Sequence, residues 1–211
     1  KRGFLTVRPN TRYFSYHDGT PFFYLGDTHW FLCHEKWDES NVEGIDSQFC
    51  YTVNHRVSQG FTVYQSEPLG IPNIPQIYDL TDGLDENDIL GFQKLDEKFA
   101  YIAECGLVHA NSQLFFTDEI SNPAYTPEYL RLLARFWVAR YGSYPVLWTV
   151  AQEIDPHCYG TVYPERWYTV AEAIAEFDAY RHPLTAHGAN NCLLTSENSA
   201  WNDKPYHSWF G

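Results

Sequence analysis

The sequence predicts an α/β fold of the (β/α)8 barrel class, the TIM barrel, preceded by a short N-terminal β-hairpin. Short apolar strands alternate five times with helical segments along the 211 residues, and this alternation favours parallel strands with helices packed over them. A polar side chain also follows each strand, which is where a barrel collects its active-site residues. We therefore predict the hairpin at 1–21 and the barrel at 22–211.

The first segment, up to Pro21, alternates apolar and polar residues around two turn signals, Pro9-Asn10 and Asp18-Gly19, which predicts the hairpin. In helix one, the apolar stripe runs from Val42 to Val57, and Gly60 stands where a C-terminal cap belongs. Strands are predicted at 22–27, 61–66, 107–116, 146–152 and 184–187, helices at 38–59, 95–104, 127–141 and 164–182, and a long loop at 68–94.

A doubly wound sheet is the alternative α/β architecture. It would require a glycine-rich phosphate turn after the first strand, but residues 26–30 read Gly-Asp-Thr-His-Trp, without the GxGxxG pattern. The barrel is therefore the better prediction. Because a complete barrel typically needs ~250 residues, we expect only its first five to six units in this chain.

Composition narrows the classes of partner. The net charge is −13 with only 14 Lys and Arg residues, which disfavours nucleic acid and anionic membrane surfaces, since both bind through cationic side chains. No apolar run is long enough to span a bilayer. Aromatic residues make up 18%; their faces stack on sugar rings, although a large aromatic core would give the same composition. The five cysteines are scattered without CxxC spacing, which predicts free buried thiols.

The fourth strand ends in a candidate catalytic pair, Gln152-Glu153. Glycoside hydrolysis needs one carboxyl group that protonates the leaving oxygen and a second that attacks or activates water. A carboxylic acid donates a proton at neutral pH only if apolar surroundings or a nearby carboxylate raise its pKa. The apolar strand before Glu153 favours it as the catalytic acid/base, with Gln152 as a ligand for a sugar hydroxyl. The structural alternatives for Glu153 are a turn cap or an ion pair with an arginine.

Other strand ends supply candidate substrate-binding residues. Gln65 and Glu67 end the second strand, and we favour contacts with sugar hydroxyls over a plain salt bridge. For Gln113, His187 and Trp201, a binding role and a structural role both stay open. His187 could orient Glu153 or bind sugar, and the Trp201 indole could stack on a sugar or cover the barrel wall.

Several stretches in their order and spacing resemble the apiosidase-like barrel family, which is related to glycoside hydrolase families 140 and 5 of clan A. The matching stretches span nearly the whole chain. They are DGTPFF at 18–23, LGDTHW at 25–30, QGFTVYQ at 59–65, YG at 141–142, HPLTAH at 182–187 and WNDKPY at 201–206.

The resemblance implies a substrate-binding floor after strand one, with Asp27 and His29 beside the stacking face of Trp30; a turn cap is the alternative for Asp27. In clan A an Asn precedes the acid/base Glu, whereas here it is Gln152. The apiosidase branch has Asp at the acid position, so Glu153 argues against apiose as the sugar. The resemblance further implies a retaining mechanism, a nucleophile after strand seven, and a periplasmic or extracellular bacterial enzyme.

Two other functions compete with a glycoside hydrolase of plant or host glycans. A noncatalytic carbohydrate-binding barrel would keep the aromatic residues and lose only the chemistry. A metal-dependent barrel hydrolase could use Asp27, His29, His109 and His187, but there is no HxH after strand one and no lysine at strand four. We therefore predict an oligosaccharide or polysaccharide substrate and neither a metal nor another cofactor.

Overall fold

The computed structural model describes residues 2–8, 11, 13–30, 32, 35–68, 85–112, 123–150 and 164–186. The chain divides into two compact units, one made of residues 1–22 with 112–211 and the other of residues 23–111. In both units, parallel strands alternate with helices along the chain. The predicted α/β class is therefore confirmed.

The unit of residues 23–111 is a three-stranded parallel sheet with two helices. The strands are β3 (Gly26–His29), β4 (Val63–Ser66) and β5 (Val108–Ser112), and the helices are α1 (Gln48–Ser58) and α2 (Glu86–Glu104). β4 lies between β3 and β5, and Tyr64 is opposite Asp27 on one side and His109 on the other. The carboxyl ends of all three strands therefore lie at the same edge of this sheet.

The core of this unit lies between β4 and the two helices. Tyr64 is buried in one cluster with Phe49 and Val53 of α1 and Ile102 of α2. Since side chains alternate along a strand, Ser66 shares this helix-covered face, whereas the neighbouring Val63 and Gln65 point to the opposite face. The sequence of β4 thus separates the face of Tyr64 and Ser66, which packs against the helices, from the face of Val63 and Gln65.

Helix α1 begins at Gln48 and not at the predicted residue 38. The hydroxyl of Ser47 accepts a hydrogen bond from the amide of Cys50 at 3.1 Å, and such a cap starts a helix. Before it, Gly44 has φ of +82°, a left-handed conformation that a right-handed helix does not contain. The apolar stripe is accordingly shorter than predicted, because Val42 and Val57 are exposed.

Helix α2 begins at Glu86, so the predicted loop at 68–94 is wrong in its last part. A capping box fixes this start: the Asp85 carboxylate accepts from the Asp88 amide, and the Asp88 carboxylate accepts from the Asp85 amide, both at 2.9 Å. The acidic, glycine-containing sequence before α2 is typical of a loop, but its carboxylates stabilise the positive amino end of the helix.

The first barrel strand also lies later than predicted, at Gly26–His29 instead of 22–27. Before it, the hydroxyl of Thr62 donates to the carbonyl oxygen of Phe23 at 2.6 Å and accepts from the amide of Leu25 at 3.0 Å. The Thr62 side chain thus bonds to the backbone just before the strand, and the Phe23 ring is exposed.

The other unit contains the predicted hairpin, which is confirmed. Its strands β1 (Leu5–Val7) and β2 (Phe14–Tyr16) pair antiparallel. The same unit holds the parallel strands β6 (Val146–Thr149) and β7 (Leu184–Thr185), and helices α3 (Pro127–Tyr141) and α4 (Pro164–Phe177). Thr126 caps α3, as predicted, by accepting from the amide of Tyr129 at 3.2 Å. None of the described helices has the length and apolar character needed to cross a bilayer.

Helix α4 ends at Phe177, before the predicted 182, because Asp178 caps the turn that follows. Its carboxylate accepts from the amides of Tyr180 at 3.0 Å and His182 at 2.8 Å. It also accepts from the indole N–H of Trp148 at 2.9 Å and from Nδ1 of His182 at 3.0 Å. Burial alone would raise the pKa of Asp178, but these donors, chiefly His182, lower it below its usual value.

A second buried polar pair lies in the core of residues 23–111. Nε2 of His109 is 2.7 Å from the hydroxyl of Ser66, and the imidazole packs against the rings of Phe99 and Tyr64. Burial lowers the pKa of His109 from 6.5 to about 3, because the charged imidazolium loses its hydration. His109 is therefore neutral at physiological pH.

His109 predicts acid-sensitive stability. Between pH 6.5 and about 3, the unfolded chain binds a proton at this position that the folded chain does not. The free energy of unfolding therefore falls as the pH falls through this window, by up to about 1.4 kcal/mol per pH unit. We expect His109→Gln to be less stable at pH 7 but to show a flatter pH dependence in urea titrations between pH 6.5 and 4. His55→Gln, at an exposed position of α1, should keep the slope of the original protein; equal slopes for both variants would contradict the role of His109.

The capping box predicts a helix-specific loss of stability. Asp85→Ala removes the acceptor for the Asp88 amide. We therefore expect the free energy of unfolding to fall by about 1 kcal/mol and the Tm to fall by roughly 2–4 °C. Asp85→Ser retains a capping oxygen and should stay close to the original Tm. If the two variants melt at the same temperature, Asp85 does not cap α2.

Candidate active site

The carboxyl edge of β3 and β4 brings five of the predicted site residues into one unit. They are not all strand-end residues, because Asp27 and His29 lie within β3 and Gln65 lies within β4. Trp30 and Glu67 directly follow these two strands. Parallel pairing of β3 with β4 places Thr28 opposite Gln65 and His29 opposite Ser66, so these residues share one sheet edge.

Asp27 has two protein partners at the surface. One carboxylate oxygen lies 2.5 Å from the Arg56 guanidinium of α1, and the other accepts from the Thr28 amide at 2.9 Å. Both side chains of the ion pair are partly exposed, so solvent screens it and its contribution to stability is small. The pair turns the Asp27 carboxylate toward α1.

His29 connects β4 with the segment that follows β3. Its Nδ1 contacts the hydroxyl of Tyr64, and its Nε2 is 3.1 Å from the carboxylate of Glu35. Burial, followed by the charges of Glu35 and Asp27, raises the pKa of Tyr64 well above its usual value, so the phenol keeps its proton. Both ring nitrogens of His29 therefore have protein partners, and the imidazole ties two segments of this edge together.

Gln65 lies on the face of β4 opposite Tyr64. Its side-chain oxygen accepts a hydrogen bond from the Tyr24 hydroxyl at 3.2 Å. The Tyr24 ring reaches it across Gly26, where an added Cβ would come within 3.0 Å of the ring and 3.3 Å of the Val63 side chain. A residue without a side chain at Gly26 thus lets Tyr24 lie over the sheet and fix the Gln65 amide.

The remaining described candidates differ in exposure. Glu67 is fully buried, with 0% of its surface exposed, whereas Trp30 is half-buried. Ser66, between Gln65 and Glu67, is also buried through its pair with His109. Glu67 is therefore enclosed, whereas part of the Trp30 indole is accessible at the same strand edge.

The other predicted site residues lie outside the described residues, and the catalytic candidate is among them. The strand that leads to it is described: Trp148 and Val150 are 1% exposed, and Val146 is completely buried. The candidates outside the described part are Gln113, Gln152, Glu153, His187 and Trp201.

The described residues offer no clustered metal ligands. Within them, no group of three or more His, Cys, Asp or Glu side chains is arranged to hold an ion. Asp27 faces Arg56, His29 faces Tyr64 and Glu35, and His109 is enclosed with Ser66. What this edge offers is hydrogen-bonding and stacking groups.

Four residues of this edge were not predicted from the sequence. Glu35 lies six residues after His29 and Arg56 lies on α1, so spacing in the sequence gives no signal for their contacts. Tyr64 could have been found, because strand alternation places it on the face of His29 and not on that of Gln65. Tyr24 could have been found by applying the same rule to the predicted strand at 22–27, where it shares a face with Gly26.

Comparison with solved structures gives the fold of the chain. It is similar to a structure described as a glycoside hydrolase, with a TM-score of 0.67 and 22% identity over 89% of this chain and 41% of that one. A family 5 glycoside hydrolase from Bacteroides vulgatus gives 0.66 and 19% over 89% and 40%. A family 5 mannosidase from Rhizomucor miehei gives 0.59 and 12% over 90% and 56%. The predicted barrel class is confirmed, and the chain spans about two fifths of the first two structures.

Sequence comparison gives the family. Among curated proteins, none matches the chain. The family described as apiosidase-like, catalytic domain, matches residues 8–209, a range that includes all the predicted site residues. The chain therefore belongs to the apiosidase-like family, over its catalytic domain.

Proposed function

We propose that the protein is a glycoside hydrolase that cleaves glycosidic bonds in oligosaccharides or polysaccharides of plant or host origin. The family match over residues 8–209 carries this proposal, because it includes both the described strand edge and Glu153. The similar solved structures are named glycoside hydrolases, which supports the same class of reaction. In barrels of this kind the chemistry takes place at the carboxyl ends of the strands.

The proposed reaction is a retaining double displacement with Glu153 as acid/base. Glu153 gives its proton to the glycosidic oxygen while a second carboxylate attacks the anomeric carbon, so that the bond to the leaving sugar breaks and a glycosyl ester forms. Glu153 then removes a proton from water, which attacks the same carbon and releases the second carboxylate. This sequence requires the two carboxyl groups to lie ~5–5.5 Å apart.

The end of β6 supports Glu153 as the acid. Trp148 and Val150, just before it, are buried, and an apolar approach favours the protonated form of a carboxyl group. Gln152, the next residue back along the chain, supplies an amide that could hold a sugar hydroxyl beside the reacting carbon. The pair would thus combine proton donation with orientation of the sugar.

Substrate recognition is proposed for the edge of β3 and β4. Trp30 would stack on a sugar face, while Gln65 and Glu67 bind hydroxyls. Tyr24 donates to the side-chain oxygen of Gln65, and the amide N–H groups of Gln65 would donate to a sugar. Asp27 and His29 would act from the border of this surface, held by their protein partners.

The proposed sugar is not apiose, since the acid position holds Glu153 where the apiosidase branch has Asp. We also propose a periplasmic or extracellular site for the protein, based on its resemblance to exported bacterial enzymes. Cell fractionation tests the location, and a screen of aryl glycosides and plant polysaccharides tests the sugar.

The acid/base role predicts loss of turnover without loss of binding. Glu153→Gln keeps the shape of the side chain but cannot donate the proton, so we expect kcat to fall by about 10²–10⁴. Sugar affinity, measured by calorimetry with the best substrate of the screen, should change little. Asp155→Asn, a neighbouring carboxyl change, is the matched control and should retain turnover.

The same assays distinguish the alternatives. Unchanged turnover in Glu153→Gln would exclude Glu153 as the acid. Sugar binding without any turnover in the original protein would favour the noncatalytic carbohydrate-binding barrel. Activity that a chelator abolishes and a divalent metal restores would favour the metal-dependent hydrolase.

The Gln65 amide predicts a contribution to sugar binding. Gln65→Leu removes one or two hydrogen bonds to the substrate, so we expect kcat/KM to fall roughly 3–10-fold. Tyr24→Phe removes only the hydroxyl that donates to Gln65 and should lower kcat/KM less. A Gln65→Leu enzyme with the original kcat/KM would contradict a substrate contact.

A further inference from the structure

A polar pocket of about 150 Å³ lies between the segment that follows β3 and the first residue of α1. Because the loops that follow barrel strands form the face that carries the active site, this pocket lies at the same end of β3 as the proposed substrate-binding edge. Its described lining consists of polar side chains, which offer hydrogen bonds and little apolar surface. These are Glu35, Lys36, Glu39, Ser40, Asn41 and Gln48.

Buried groups hold the segment that forms this pocket. Leu32 is 0% exposed and packs in the core of its unit, and its carbonyl oxygen accepts from Nζ of the buried Lys98 at 2.5 Å. The ring of Trp37 packs against those of Phe49 and Tyr101, with centroids 5.6 and 5.4 Å apart. A segment with such anchors loses little conformational freedom when a ligand binds, which favours affinity.

Glu35 belongs both to the strand edge and to the pocket. Its Oε1 is 3.1 Å from Nε2 of His29, and a carboxylate can only accept, so this nitrogen donates to it. The Glu35 side chain is 17% exposed, and none of the described residues bonds to its Oε2. The His29 contact therefore orients a carboxylate that has a second oxygen for a ligand.

The other side of the pocket supplies hydrogen-bond donors. The side-chain oxygen of Gln48 accepts from the backbone amide of Asn41 at 3.4 Å, and its side-chain N–H groups have no partner among the described residues. The hydroxyl oxygen of Ser40 accepts from the amide of Val42 at 3.0 Å, so its hydrogen remains to donate. An acceptor facing donors matches a sugar hydroxyl, which both donates and accepts.

The charges of the lining favour a neutral ligand over a metal ion. Glu39 forms an ion pair with Lys36, whereas the Glu35 carboxylate contacts a histidine and no described lysine or arginine. A calcium ion would need six or more oxygen ligands, and the part of the chain that the structure describes has no cluster of acidic or histidine side chains suited to an ion. Hydroxyl groups need a single carboxylate, with which they form strong hydrogen bonds.

We propose that this pocket binds a second sugar unit of the substrate, next to the unit held at the edge of β3 and β4. The proposal rests on the proposed glycoside hydrolysis and adds a preference for glycans of two or more units over glycosides of a single sugar. Hydroxyls of the second unit donate to Oε2 of Glu35 and accept from the Gln48 amide. Glu35 links the two binding positions, since its other oxygen holds His29.

Two substrates of different length test this proposal: an aryl glycoside with one sugar unit, and an oligosaccharide of the same sugar, chosen by the screen of glycosides. Glu35→Gln removes the charged acceptor of the pocket, while the new amide oxygen can still accept from His29. We expect kcat/KM for the oligosaccharide to fall about tenfold more than kcat/KM for the aryl glycoside, through a higher KM. Gln48→Ala, at a residue that does not contact His29, should give a difference of roughly threefold.

Glu43→Gln is the matched control, since Glu43 is an exposed carboxylate of the same segment outside the lining. This variant should keep the original kcat/KM on both substrates. The proposal is overturned if Glu35→Gln and Gln48→Ala lower kcat/KM equally on both substrates, or if neither variant lowers it. Calcium binding that Glu35→Gln abolishes would also overturn it, because the pocket would then hold a cation.

Binding measurements separate this proposal from the proposed function. If the original protein cleaves no glycan, the hydrolase proposal fails, and calorimetry with xylo-, manno- and cello-oligosaccharides tests the pocket. Glu35→Gln should then bind these oligosaccharides about tenfold more weakly than Glu43→Gln. Equal affinities for the two variants, or no binding to the original protein, would contradict a sugar site in this pocket.

Discussion

The parallel hydrogen bonding of β4 to β3 and β5 is the constraint on which the described edge depends. It sets Tyr64 opposite Asp27 and His109 and buries the Tyr64 face against α1 and α2. The next side chain, Gln65, must then point to the opposite face. A slip of one residue would exchange these two faces and bury an amide where a phenol now packs.

The same register explains why polar residues can lie so close to the core. Ser66 and His109 pair with each other inside it, and His29 reaches Tyr64 from the edge. Each buried polar group that is paired within the sheet avoids the cost of lost hydration. Rigid neighbours therefore support the residues that are proposed to meet the sugar.

Much of the fold could be predicted because periodicity and caps are local properties. Thr126 and Pro127 gave the start of α3 correctly. The starts of α1 and α2 were missed because they depend on single side-chain bonds, from Ser47 and from the Asp85–Asp88 pair. These side-chain bonds determine where α1 and α2 begin, whereas the predicted starts rest on the apolar stripe of α1 and on the loop-like composition before α2.

For the candidate site, strand order places Asp27, His29 and Gln65 in the same unit, within β3 and β4. Their partners could not be predicted in the same way, because Arg56 and Glu35 reach Asp27 and His29 only in the folded chain. The charge on Asp27 and the ring of His29 thus have contacts that residue type alone does not reveal. The proposed role of Glu153 rests on its place in the sequence after β6 and on the family.

The most direct measurement of that role compares two leaving groups in the Glu153→Ala variant. Cleavage of a glycan requires protonation of the leaving alcohol, whereas dinitrophenolate leaves without a proton. If Glu153 is the acid, glycan cleavage falls by about 10²–10⁴, while the first release of dinitrophenolate from the corresponding aryl glycoside stays close to the original rate. An equal loss on both substrates, or no loss on either, would contradict the account.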